Sequence, residues 1–79
     1  MRIIYKQQGK PSSIFEVGEN ETVGRLKKLV QDKEGVKFEK NHIVFGNLTL
    51  DQQYDNQKLA TVGMKNGSIF YTALKIIGG

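Results

Sequence analysis

Thr22–Gly35, "TVGRLKKLVQDKEG", decides how this chain folds. Val23, Leu26, Leu29 and Val30 recur at helical spacing, so one apolar stripe runs down the segment. Arg25, Lys27, Lys28 and Lys33 fall mostly off that stripe. Thr22 is suited to the N-cap, where its hydroxyl can accept from an otherwise orphaned amide. Gly35 is suited to a left-handed C-terminal cap. Gly24 weakens the first turn by about 1 kcal/mol relative to alanine. The spacing therefore predicts one helix over Thr22–Glu34.

Everything on either side of that helix reads as strand and turn. "RIIYK" and "SIFEV" are β-rich runs joined by "QQGKPS", a hairpin turn carrying Gly9 and Pro11. Pro11 has no amide proton, so the second strand must start after it or lie at a sheet edge. Ile3 and Tyr5 share one face, as do Phe15 and Val17 on the partner strand. Beyond the helix, "HIVF" predicts a third strand, Gly46–Asn47 a turn, and "LTL" a short fourth strand. "DQQYDNQ" reads as a polar loop. "KLATVGM" reads as a tucked turn that buries Leu59, Val62 and Met64. "KNGS" is a turn, and "IFYTAL" is the last strand. Five strands around one central helix make an α+β domain, a sheet wrapped over a helix.

Composition narrows the function. The chain has 79 residues, of which 38% are hydrophobic and 25% charged, with a single proline. That suits one folded domain. There is no cysteine, which excludes disulfides, thiolate metal sites and a cysteine nucleophile. No apolar run approaches the roughly 20 residues of a membrane span, and no signal peptide opens the chain. Expectations are therefore the cell interior, no membrane and no cofactor. The net charge of +4 comes from lysines and arginines spread along the chain. No basic block forms and no RNA-binding aromatic signature appears, so nucleic acid is not expected. His42 is the only histidine, so no Ser-His or metal cluster can form around it. The chain is not expected to be an enzyme.

The strand order, read with the ending "ALKIIGG", resembles the ubiquitin family. "QDKEG" at Gln31–Gly35 is the phrase ubiquitin carries at the end of its own helix. Met1, Ile3, Lys6, Glu16, Val17, Thr22, Lys27, Phe45 and Leu50 also fall where ubiquitin has the same residues. The similarity runs without a net gap to about Leu50, takes in three extra residues within Asp51–Gln57, and resumes from Leu59. It implies a β-grasp fold over residues 1–73 and a flexible conjugation tail over 74–79.

The resemblance also implies a use for Gly78 and Gly79. Ubiquitin-like modifiers end in two glycines because the last carboxylate is activated as an adenylate, passed to enzyme cysteines as a thioester, and joined to a target lysine. Glycine lacks a Cβ, so such a backbone can enter narrow channels. Gly79 would be the attachment point. Leu74, Lys75, Ile76, Ile77 and Gly78 would be read by the partners: activating and conjugating enzymes, ligases and deconjugating proteases. The protein itself would be a monomer of the cytoplasm or nucleus. Two other readings stay open: a ubiquitin-like domain that binds without being conjugated, and a β-grasp sulfur carrier with a C-terminal thiocarboxylate.

Three departures from ubiquitin bear on specificity. Lys75 and Ile77 stand where ubiquitin has arginines, so acidic pockets that read those arginines would bind this tail poorly. The positions of ubiquitin's apolar partner patch are Gln8, Val44 and Ala73, with Tyr71 in place of a histidine and with Ile4 and His42 at its border. Lys6, Lys10 and Lys33 correspond to possible chain-acceptor lysines, and Lys27 to one whose charge is expected to be paired. The two positions most used for chains hold Leu48 and Asn66, which have no nucleophilic amine.

Overall fold

The computed structural model describes residues 1–75. Its elements are β1 (Arg2–Tyr5), β2 (Ser13–Glu16), α1 (Val23–Glu34), β3 (Asn41–Phe45), β4 (Leu48–Leu50), a 3-10 turn (Gln52–Tyr54) and β5 (Ile69–Leu74). The five strands form one sheet in the order β2-β1-β5-β3-β4. The central β1–β5 pair is parallel and the other pairs are antiparallel. A mixed sheet with one helix is the β-grasp arrangement that the sequence predicts.

Both helix caps form as the residue types require. Thr22 is extended, and its Oγ1 accepts from the Arg25 amide at 3.2 Å. Gly35 takes φ 73° and donates its amide to the Gln31 carbonyl. Val23, Leu26 and Val30 are fully buried. They join Ile3, Tyr5, Phe15, Ile43, Leu50 and Phe70 from the inner sheet face in one core. Leu59, Val62 and Met64 close that core from the tucked turn. The Tyr5 ring stacks on Phe70 with centroids 5.1 Å apart. Its hydroxyl stays satisfied by a 2.6 Å hydrogen bond with Thr72 Oγ1.

Pro11 lies before β2, so its missing amide leaves no gap in the ladder, and β2 is also an edge strand. The hairpin tip is tied to the end of α1. Glu34 accepts from Gln7 Nε2 at 2.9 Å and from Ser13 Oγ at 2.7 Å.

Three local readings change. The polar run after β4 contains a 3-10 turn, because Asp51 caps it by accepting from the Gln53 amide at 3.1 Å. Gly24 is more than a weak helix residue. Its amide donates to the Asp55 carbonyl at 2.9 Å, and a Cβ there would sit 3.1 Å from the same oxygen. The expected tail also starts too early at residue 74. Leu74 still pairs with Asn41 in β5, and the Lys75 amide donates to the Lys40 carbonyl at 2.8 Å, so the ladder carries the chain past residue 73. Ile76, Ile77, Gly78 and Gly79 lie outside the described residues.

Candidate protein-interaction site

Side chains alternate across a strand, so the residues between the core positions face away from α1. On β5 these are Ile69, Tyr71 and Ala73, and on β3 they are His42 and Val44. The antiparallel register sets Val44 opposite Tyr71 and His42 opposite Ala73. Four of the five expected patch residues thus form one quadrilateral on the outer face. This depends on β5 running between β1 and β3. Tyr71 is about half exposed, Ala73 is exposed, and Val44 and His42 are half-buried. The fifth residue, Gln8, stands apart from the ladder. It is exposed in the turn between β1 and β2.

His42 divides two shallow openings. One, of about 360 Å³, is lined by His42, Val44, Thr49, Ala73 and Leu74. The other, of about 510 Å³, is lined by His42, Lys75 and the Asp51–Gln53 segment. His42 Nδ1 is buried without a hydrogen-bond partner among the described residues. Of the expected tail-recognition residues, Leu74 borders the first opening and Lys75 the second.

The candidate acceptor lysines differ in availability. Lys6 and Lys10 are exposed and form no ion pair within 4.0 Å among the described residues. Lys33 is exposed but engaged: its Nζ donates to the Ile14 carbonyl at 2.9 Å and sits 4.8 Å from the Phe15 ring centroid. Lys27 Nζ pairs with Asp55 Oδ1 at 2.5 Å, and its side chain is only 13% exposed. That matches its expected paired charge. At the hairpin clamp, the Ser13 and Gln7 hydrogen bonds, aided by the Lys33 and Lys10 charges, hold the Glu34 carboxyl below its ordinary range.

Sequence reasoning missed two residues on the outer face. Ile14 is 53% exposed and Ile69 is 37% exposed. Each reads as a core residue in isolation, and only the strand alternation turns them outward. Among the described residues, no group of three or more His, Asp and Glu side chains could hold a metal ion. Among the described residues, no helix is long and apolar enough to cross a membrane. A sequence model described as the ubiquitin family matches residues 2–76.

Proposed function

The chain belongs to the ubiquitin family, and we propose from that premise that it is a protein modifier joined to other proteins through Gly79. One observation carries this reading: Gly78–Gly79 follows β5 of a ubiquitin-family domain by only a few residues. A Gly79 carboxylate oxygen attacks the α-phosphorus of ATP, and pyrophosphate leaves. An enzyme thiolate then attacks the Gly79 carbonyl and expels AMP. Finally a lysine amine of the target displaces the thiolate and loses a proton, leaving an isopeptide bond. In this sequence of steps the chain is the substrate, and partner enzymes supply the nucleotide and the cysteines.

The tail chemistry supports a separate set of partners. Lys75 keeps one cation without the planar fork of arginine, and Ile77 replaces a second cation with an aliphatic group. Enzymes suited to this chain need an apolar contact where ubiquitin's need a carboxylate. Val44, Tyr71, Ala73 and His42 form the accompanying patch, with Gln8 at its margin, and exposed Lys6 and Lys10 are the better-placed acceptors for any chain.

The test uses N-terminally tagged protein, ATP and an extract of the source cells. Adducts that thiol reductants remove should form with the full chain and vanish when Gly78 and Gly79 are deleted. Equal adducts from the truncated chain would overturn the proposal.

A further inference from the structure

The turn that leads into β5 holds a reactive pair. Asn66 is followed by Gly67, whereas Asn20, Asn41, Asn47 and Asn56 each precede a residue with a side chain. A glycine leaves its own amide nitrogen unshielded, so the side-chain amide of the asparagine before it is open to attack from the backbone. Both residues are exposed, and nothing lies within 4 Å of a Cβ added at Gly67, so water reaches the site.

The fold holds both partners of that reaction. The Ser68 amide donates to the Lys65 carbonyl at 2.9 Å, and Gly67 takes φ 87° while Asn66 keeps a negative φ. These are the marks of a type II turn over Lys65–Ser68. Ser68 Oγ reinforces it by accepting from the Lys65 amide at 2.8 Å. The turn is then clamped to the start of β1 from both sides of one residue. The Arg2 amide donates to Asn66 Oδ1 at 2.8 Å, and the Gly67 amide donates to the Arg2 carbonyl at 2.7 Å. The first bond polarises the side-chain carbonyl. The second withholds the nucleophile, because Gly67 cannot turn its nitrogen toward Asn66 Cγ without breaking it.

We propose that Asn66 is a site of self-modification, gated by this clamp. When the turn opens, the Gly67 nitrogen attacks Asn66 Cγ and gives up its proton, and the side-chain nitrogen leaves as ammonia. The product is a five-membered succinimide. Water then adds to one of its two carbonyls and breaks one C–N bond, giving aspartate or isoaspartate. Aspartate keeps an oxygen for the Arg2 amide and lowers the net charge by one from +4. Isoaspartate routes the main chain through an extra methylene. Gly67 then loses its register on Arg2, next to the 2.7 Å bond from the Ile4 amide to the Ser68 carbonyl that opens the β1–β5 ladder. None of this chemistry involves Gly79 or a partner, so it stands or falls apart from the proposed conjugation.

The experiment incubates the full chain in mildly alkaline buffer, folded and in urea, and follows conversion by intact mass and peptide mapping. Asn66 should convert ahead of the other four asparagines. The folded chain should react at least about tenfold more slowly than the chain in urea, since its rate tracks the open fraction of the turn. Ser68→Ala removes the acceptor for the Lys65 amide and leaves Asn66 and Gly67 in place. It should speed conversion of the folded chain several-fold and leave the rate in urea unchanged. Asn66→Gln should abolish the signal. Asn66→Asp should melt with the parent chain, while the isoaspartate fraction, separated by ion exchange, should melt lower. Equal rates in the folded and urea arms, earlier conversion of another asparagine, or a folded rate indifferent to Ser68→Ala would overturn the proposal.

Discussion

Lys27 and Asp55 make opposite demands on the fold, and two substitutions separate them. Lys27 is almost enclosed, with its side chain 13% exposed, whereas the Asp55 side chain is 36% exposed and reaches water. Asp55→Ala removes the acceptor and strands an ammonium group in a poorly solvated place. Hydrogen bonds to charged groups contribute about 1.5–3 kcal/mol, and partial hydration of Lys27 puts the expected loss near 2 kcal/mol. Lys27→Met keeps the packed stem and leaves a carboxylate that water can solvate, so its loss should stay below about 1 kcal/mol. In a domain of this size each 1 kcal/mol moves Tm by about 4–8 °C, so the two variants should be clearly resolved. The double variant should resemble Lys27→Met alone, because Asp55 then has no buried cation to satisfy. Urea unfolding with a shared m-value measures all three. Equal losses for the single variants, or simple additivity in the double variant, would refute this account of the pair.

Other outcomes follow from the same geometry. Gly35→Ala should cost about 1–2 kcal/mol in urea unfolding, since its φ of 73° is the only obstacle and nothing lies within 4 Å of an added Cβ. The Glu34 carboxyl is held below its ordinary value, so its contribution is present above the unfolded pKa near 4.5 and is lost as pH falls through the lower folded value. Glu34→Gln should flatten that acid limb of a stability–pH curve, and an unchanged limb would contradict the clamp. Brief acetylation followed by mass spectrometry should modify Lys6 and Lys10 well ahead of Lys27, with Lys33 between them. Tyr71→Ala should leave Tm nearly unchanged yet weaken binding to a partner of the patch by roughly 2 kcal/mol, which titration calorimetry reads directly.

Legibility followed the range of the interaction. The helix was readable because its stripe and both caps lie within fourteen consecutive residues, and Thr22 and Gly35 each act through local backbone geometry. The hairpin was readable from two β-rich runs joined by a turn with Gly9 and Pro11, whereas Pro11 left open whether β2 starts after it or lies at an edge. Much of what depended on partners distant in sequence was not visible. Gly24 reads as a weak helix residue until the Asp55 carbonyl arrives beside it, and Lys33 reads as a free amine until β2 presents the Ile14 carbonyl. The 3-10 turn at Gln52–Tyr54 buries no residue and so carries no apolar period. The patch was partly readable: resemblance supplied its positions, while the register joined Val44 to Tyr71 and His42 to Ala73 and left Gln8 in its turn. Ile14 and Ile69 escaped notice because an isoleucine in a strand carries no mark of which face it takes.

The central claim is that Gly79 becomes covalently joined to other proteins. The direct measurement is purification of N-terminally tagged protein from its own cells under denaturing conditions, followed by trypsin digestion and mass spectrometry. Lys75 is the last basic residue, so cleavage there should leave Ile76–Ile77–Gly78–Gly79 attached to target lysines through an isopeptide bond. Lysines carrying that four-residue remnant, lost when Gly78 and Gly79 are deleted, are the predicted result. A C-terminal peptide found only with a free carboxylate or a thiocarboxylate, and no remnant on any lysine, would contradict it.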